Sequence, residues 1–221
     1  MELSVPSTNI VIRSLPLPTL DQLPALLDLY QTVRQWLPSK QNGMYEILDY
    51  DSTLELLDTN GEVAIFKKLQ RVKFLQDNII AFQDYAWGDG DIFTDYKCSP
   101  GVVVDRYQEG DRWNILISLR GTKSKGEIED FYIERTIKNG YTQREEWQQV
   151  EIRNTTDHLQ IGIIFPKQRH CQRAILLRRS RTQTTVLGQE HFHLLPDGRM
   201  LLSWEARNIH QLEIYTIKWW W

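Results

Sequence analysis

The sequence predicts a mainly β protein, with an antiparallel β-sandwich as the first choice, a barrel as the second, and one N-terminal α-helix. This prediction depends on apolar alternation, on turn residues between the apolar segments, and on a helical pattern confined to the N-terminal part. Apolar residues alternate at period two in Trp113–Leu119, Leu159–Phe165 and Tyr215–Trp221. Period two places every second side chain on one face of a strand, so each of these segments has one face to bury.

The N-terminal part has a different pattern. Prolines disfavour a helix over residues 1–18, which we expect to form an extended arm. Thr19 resembles an N-cap, and apolar residues then recur at helical spacing as far as Pro38. We therefore divide the chain into an arm and helix over residues 1–43 and a β-rich domain over residues 44–221, which forms one compact unit.

Short β-type segments fill that second domain, and turn residues separate them. Asn139-Gly140 is typical of a hairpin turn between two of them. The spacing of the segments suits a sandwich or a barrel. The predicted strands are 45–50, 54–56, 63–75, 79–87, 102–104, 113–119, 131–137, 147–153, 159–165, 174–179, 184–187, 200–204 and 212–219.

Composition limits the classes of function. Residues 1–110 carry 9 basic and 16 acidic side chains, and residues 111–221 carry 17 basic and 13 acidic ones. Neither half is basic enough for a dedicated nucleic-acid domain. Cys98 and Cys171 have no metal-like spacing, so we expect reduced thiols in a soluble cytoplasmic protein. No run approaches the roughly 18 apolar residues that a membrane span needs, so we expect no membrane partner.

The segment from Trp87 to Gly101, WGDGDIFTDYKCSPG, is glycine-rich and acidic. We predict a long irregular loop here, because no clear periodicity is present. Loops on a rigid β scaffold often carry recognition. At the C-terminus, Trp219 and Trp221 share the parity of the core, which leaves Trp220 available on what we expect to be an open aromatic edge.

These features favour a non-catalytic binding or interaction module that recognises a protein partner through the 84–101 loop and the aromatic C-terminal edge, without a cofactor. The predicted partner-binding residues are Trp87, Asp89, Asp91, Asp95, Lys97 and Trp220.

An enzyme is the first alternative, although the sequence inclines against it. A metal-assisted hydrolase would use the acidic loop, which also holds Asp84, or the pair His191 and His193, which would face one side of a strand. The acidic spacing does not match the EF-hand pattern, and no metal site is assigned. Cys98 lies beside Lys97, which would lower the pKa of its thiol, but no hydrolase signature accompanies it.

Phosphate or nucleic-acid binding is the second alternative. The segment from 167 to 181 contains no acidic residue, and such clusters can neutralise phosphates. Aromatic residues for base stacking are not interleaved with it, which disfavours single-stranded nucleic acid. The candidate phosphate ligands are Lys167, Arg169, Arg173, Arg178, Arg179 and Arg181.

Overall fold

The computed structural model describes residues 43–179, 182–209 and 211–221, which belong to one compact unit spanning Asn42–Trp221. These residues are mainly β, as predicted, whereas the predicted arm and helix lie outside them. No helix in the described ranges is long and apolar enough to cross a membrane.

Fourteen strands form in the described residues. The first seven are β1 (Tyr45–Leu56), β2 (Val63–Phe74), β3 (Ile79–Ala86), β4 (Asp91–Ser99), β5 (Val102–Glu109), β6 (Arg112–Lys123) and β7 (Ile128–Lys138). The others are β8 (Glu145–Glu151), β9 (Thr156–Phe165), β10 (Arg173–Arg178), β11 (Gln183–Leu187), β12 (Phe192–Leu194), β13 (Met200–Ile209) and β14 (Ile214–Trp220), and a 3-10 helix, Gln189–His191, precedes β12.

The strands form three sheets. A seven-stranded sheet has the order β12-β13-β9-β1-β2-β7-β4, a four-stranded sheet the order β11-β10-β14-β8, and a three-stranded sheet the order β3-β6-β5. Each sheet ends in edge strands, so none of them closes into a barrel, and the second-choice prediction is wrong. Neighbouring strands are antiparallel except β1 and β9, which pair in parallel.

One apolar core joins the inner faces of the three sheets. The alternation seen in the sequence produces it, because every second residue of a strand points inward. Phe82 of β3 stacks on Phe131 of β7, with ring centroids 4.1 Å apart, so the aromatic contact crosses from the three-stranded to the seven-stranded sheet. Burial of such rings is a major stabilising contribution to the fold.

The C-terminal tryptophans follow the predicted parity. Trp219 is 0% exposed and Trp221 3% exposed, whereas Trp220 is half-buried on the outer face of its sheet. The prediction of an open C-terminal edge is wrong, because β14 lies between β10 and β8 and is hydrogen-bonded to both. Strand order is a non-local property that the alternation of a single segment does not contain.

The prediction of an irregular loop from Trp87 to Gly101 is also wrong, because Asp91–Ser99 forms β4 against β7. Glycines and aspartates conceal this strand in the sequence, and a register shift between Asp91 and Asp95 breaks its period. Gly101 then makes the corner to β5 with φ +101°, where a Cβ would lie 2.5 Å from the carbonyl oxygen of Ser118.

The turn at Asn139-Gly140 has a different role from the one predicted. It connects β7 of the seven-stranded sheet to β8 of the four-stranded sheet, so the two flanking strands do not form a hairpin. Asn139 has φ 57°, in the left-handed region that asparagine tolerates. The dipeptide therefore provides a tight turn, but the chain uses it to pass from one sheet to another.

We expect Trp219→Ala to lower the free energy of unfolding by about 3–5 kcal/mol, because it opens a large cavity in the core. The neighbouring Trp220→Ala should cost about 1 kcal/mol or less, since this ring is only half-buried. Urea unfolding of the two variants beside the wild type measures the difference. Equal losses of unfolding free energy in both variants would contradict the inward position of Trp219 and the outward position of Trp220.

Candidate functional site

The chain turns from one sheet edge directly to another between β4 and β5. β4 is the last strand of the seven-stranded sheet, and β5 is the last strand of the three-stranded sheet. One side of each strand therefore has no neighbouring strand among the described residues. Such an edge presents backbone N–H and C=O groups that are available for another chain.

Apolar side chains are unusually exposed along the second of these strands. Val103, Val104 and Tyr107 are 41%, 56% and 50% exposed, and Leu116 of the neighbouring strand β6 is 37% exposed. Val104 lies at a register shift, where β5 bulges away from β6. We call these four residues the β5 edge. Exposed apolar side chains on and beside an edge strand are typical of interaction surfaces.

An aromatic cluster holds this strand in place. The guanidinium of Arg106 lies 4.6 Å from the ring centroid of Phe93 and 5.4 Å from that of Trp113. The two rings meet edge to face at 5.6 Å. Since Phe93 belongs to β4 and Trp113 to β6, Arg106 links three strands by cation–π contacts, and β5 is anchored although it is largely exposed.

Three of the six predicted partner-binding residues lie on β4, Trp220 lies on β14, and Trp87 and Asp89 lie in the connection between β3 and β4. Asp89, Asp91, Asp95 and Lys97 are exposed in and before β4. The Nζ atom of Lys97 lies 3.0 Å from Asp95 and 3.4 Å from Glu134, so this cation already has carboxylate neighbours. Exposed pairs of this kind contribute little to stability and exchange readily with other partners.

Trp220, the sixth predicted residue, belongs to the four-stranded sheet. Its ring lies between Arg173 and Lys218, whose cations are 5.2 and 5.6 Å from the ring centroid. Lys218 also pairs with Glu145. Trp220 is therefore part of a cation–π cluster on a strand that is enclosed on both sides, and it does not belong to an edge.

A polar cleft runs from the mouth at Trp87 and Asp89 into the interior between the sheets. It consists of two adjoining cavities of about 30 and 40 Å³, enough for a few water molecules. Its main polar and aromatic lining residues are Tyr50, Lys68, Tyr85, Trp87, Arg135, Tyr141 and Glu146.

The most buried charges beside this cleft form an ion pair. The side chains of Lys68 on β2 and Asp84 on β3 are 6% and 2% exposed, and their charged groups are in contact. The hydroxyl of Tyr96 on β4 donates to Asp84 at 2.8 Å. Burial lowers the pKa of Lys68, but the Asp84 carboxylate outweighs that effect and the pKa is raised. Burial and Asp84 raise the pKa of Tyr96, so its hydroxyl stays protonated and donates.

Arg135 is the second buried cation of the cleft, and it is 5% exposed. Its guanidinium lies over the ring of Phe66, 4.4 Å from the centroid. Among the described residues no carboxylate lies within 4 Å of it, and its Nε has no hydrogen-bond acceptor. Burial lowers the pKa of Arg135, and the Asp84 carboxylate opposes this shift from a distance. Since Asp84 is in contact with Lys68, the described interior of the cleft holds two cations and one such carboxylate, which leaves one positive charge unbalanced.

Glu146 lies near the mouth of the same cleft. Burial raises its pKa to about 7, although the backbone N–H of Gln143 donates to its Oε1 at 2.6 Å and favours the ionised form. The exposed Asp89 adds to the rise. Glu146 is therefore about half protonated near neutral pH, which is unusual for a carboxyl group.

His191 and His193, the pair considered in the metal-dependent alternative, lie in different elements of the structure. His191 lies in the 3-10 helix and its Nδ1 is 3.1 Å from the carbonyl oxygen of Ser203, whereas His193 is exposed on β12. The strand begins only at Phe192, so the expected common face does not exist. The described ranges contain no group of three or more His, Cys, Asp or Glu side chains arranged to hold a metal ion.

The basic segment from 167 to 181 is spread over different surroundings. Arg169 donates to the carbonyl oxygens of Thr59 and Trp221 and stacks on the Trp221 ring at 3.8 Å. Arg173 and Arg178 point to opposite faces of β10, and the guanidinium of Arg178 lies 5.6 Å from the ring centroid of Trp204. Lys167 and Arg179 are exposed, and Arg181 is outside the described residues. The five described cations do not converge on one surface.

Cys98 does not have the lowered pKa that its neighbour Lys97 suggested. The thiol is half-buried on β4, and its burial together with Asp84 raises the pKa. A thiol of this kind is mostly protonated at neutral pH and is a poor nucleophile.

Sequence reasoning missed the charges that matter most in the interior. Arg135 interrupts the alternation of Phe131, Ile133 and Ile137, so it occupies an inward position of β7. Asp84 does the same between Phe82 and Ala86. A charged residue at an apolar position of a regular alternation is a signal that would have identified both.

No family model matches this chain, and no curated protein does. Solved structures similar to it include an M1 zinc metallopeptidase from Deinococcus radiodurans, with 9% identity and a TM-score of 0.48, covering 82% of this chain and 43% of that one. Another is a mutant of that enzyme with a bound Tyr-Ser-Ala substrate, with 8% identity and a TM-score of 0.49, covering 78% and 42%. The chain spans less than half the length of these structures, and the similarity is too distant to indicate a function.

We expect Asp84→Leu to lower the free energy of unfolding by about 3–5 kcal/mol, because it leaves the buried cation Lys68 without its carboxylate. The double variant Asp84→Leu with Lys68→Met should recover most of this loss. Asp130→Leu is the control, since that carboxylate is exposed and lies 3.9 Å from Arg71, and its cost should be below about 1 kcal/mol. Denaturant unfolding measures these free energies. A double variant that is no more stable than Asp84→Leu would contradict the expected recovery.

We expect Glu146→Gln to stabilise the protein above pH 7 and to leave it unchanged below about pH 4.5. The raised pKa of Glu146 favours the protonated form in the native state, so stability falls as pH rises from 4.5 to about 7. At pH 8 the free energy of unfolding of Glu146→Gln should exceed that of the wild type by up to about 2 kcal/mol, after allowance for solvent screening at the cleft mouth.

The measurement for this variant is thermal unfolding across pH 4 to 8. Glu145→Gln is the control, because that neighbour is exposed on the same strand and pairs with Lys218. A constant difference between Glu146→Gln and the wild type across this range would be inconsistent with the raised pKa.

Proposed function

We propose that the protein is a non-catalytic binding module that recognises a protein partner through the β5 edge and the adjoining strand β4. The partner contributes an extended segment, which pairs with the free backbone groups of β5 as an additional strand. Main-chain hydrogen bonds then provide affinity, and contacts with side chains provide specificity.

The observation that carries this proposal is the exposure of β5. No strand among the described residues pairs with its outer edge, and Val103, Val104 and Tyr107 are exposed along it. Natural proteins usually protect such edges with charges, prolines or a covering segment, because they pair readily with other chains. β5 carries the exposed charges Asp105, Arg106 and Glu109, but it also exposes three apolar side chains. Its anchor at Arg106 reduces the ordering cost of binding.

The proposal retains part of the surface predicted from the sequence. Asp91, Asp95 and Lys97 lie on β4 and form a charged border next to the apolar β5 edge. Interfaces commonly have this arrangement of an apolar centre and a polar border. We place the module on a β-sandwich scaffold in the cytoplasm, where its two free thiols would remain reduced.

Val104→Lys tests this proposal. A lysine at position 104 of this edge strand would block the addition of another strand, because its ammonium group would lose water and lie against that strand. The measurement is affinity capture from native lysate followed by quantitative mass spectrometry. We expect the amount of captured partner to fall about tenfold or more, which corresponds to a loss of about 1.4 kcal/mol or more in binding free energy.

The matched control is Ile80→Lys. Ile80 is 65% exposed on β3, the opposite edge strand of the same sheet, so the change in surface charge is identical. This variant should retain the partner, and both variants should melt within about 2 °C of the wild type. Equal capture by both variants, or a wild type that captures no protein at stoichiometric amounts, would rule the proposal out.

A further inference from the structure

The interior charges of the polar cleft do not balance. Lys68 and Asp84 neutralise each other, and Tyr96 completes the hydrogen bonds of the carboxylate. Arg135 remains as an additional cation, 5% exposed, with no carboxylate within 4 Å among the described residues. A buried charge without a partner is costly, so proteins rarely keep one unless something compensates it.

The contacts that Arg135 does have provide only partial compensation. The ring of Phe66 lies 4.4 Å from its guanidinium, which gives a cation–π contact. Tyr50 and Tyr141 line the same cleft, and both have a raised pKa because they are buried, so neither supplies a negative charge. The Nε of Arg135 is buried and has no acceptor.

The cleft also determines the size and charge of what can reach Arg135. The cavity beside it is about 30 Å³, which suits a single ion or a carboxylate head group. Asp89 and Glu146 lie towards the mouth, and their carboxyl groups disfavour the approach of a polyanion such as nucleic acid. A guanidinium binds a carboxylate through two parallel hydrogen bonds and a halide through one or two N–H groups.

We propose that the polar cleft is a binding site for a small monovalent anion, chloride or a short carboxylate, with Arg135 as its principal ligand. The anion accepts hydrogen bonds from the guanidinium, and its charge balances the interior. This site is separate from the β5 edge, and it does not depend on the proposed recognition of a protein partner.

The test uses the whole protein exchanged into a buffer with gluconate as the only anion, followed by separate titrations with chloride, formate, acetate and phosphate. We expect the melting temperature of the wild type to rise and saturate with one of the small monovalent anions, by about 5–10 °C at one hundred times the Kd. The 15N resonance of the Arg135 Nε–H should shift along the same saturation curve.

Arg135→Met should abolish that rise, and in gluconate buffer it should melt at the same temperature as the wild type or higher, because it removes the unbalanced charge. Arg71→Met is the control, since the side chain of Arg71 is 56% exposed on β2 and the variant should keep the full response. If Arg135→Met does not fold, Arg135→Gln replaces it, and the Nε titration needs only the wild type.

The relative potency of the four anions identifies the ligand. Saturation by chloride at a lower concentration than by formate or acetate assigns a halide site, and the reverse order assigns a carboxylate site. A response to phosphate at lower concentration than to all three would contradict a monovalent site. An equal rise in Arg135→Met and wild type, or an Nε resonance that does not move, would overturn the proposal and leave Arg135 balanced by Asp84 and the ring of Phe66.

Discussion

The ion pair between Lys68 and Asp84 is the constraint on which the arrangement of the sheets depends. Asp84 belongs to the three-stranded sheet, whereas Lys68 and Tyr96 belong to the seven-stranded sheet, so one carboxylate connects both. Apolar packing between sheets is non-directional and tolerates small shifts. A buried charge does not, because it must keep its partner in contact. The pair thus selects one alignment of the two sheets, and the position of the polar cleft and of Arg135 follows from it.

Alternation in the sequence predicts most of the strands and the inward position of Trp219. It does not predict a strand whose period is broken, and it does not predict non-local properties such as strand order. The sequence does not reveal β4, because Gly88, Gly90 and the register shift after Asp91 conceal Ile92 and Phe93. Nor does it reveal that β8 and β10 flank the C-terminal strand, because strand order is not a local property. Lys68 and Arg135 occupy inward positions of their alternations, although charged side chains are ordinarily exposed, and the carboxylate that compensates Lys68 lies in another strand.

The two candidate sites arise from opposite departures from ordinary β structure. In the cleft, charged residues occupy inward positions, so the interior contains polar groups that require partners. On β5, apolar residues occupy outward positions, so the surface contains groups that water does not favour. Each departure costs free energy in the isolated chain, and in our two proposals binding relieves it, through an anion in the cleft and through an added strand on β5. The cation Arg106 and its two aromatic neighbours keep β5 ordered before any partner arrives.

The parallel pairing of β1 with β9 has a consequence for synthesis. Residue pairs such as Leu54 and Ile163 join segments that are far apart in the sequence. By contrast, β1 and β2 are adjacent in the sequence and pair locally. The second edge of β1 therefore has no partner until β9 has left the ribosome. With roughly one hundred residues to add at about 5–20 residues per second, the nascent chain exposes that edge for about 5–20 s. Long-range pairing of this type also slows folding, so the newly made chain is most vulnerable to aggregation during this interval, and chaperone binding would have its largest effect there.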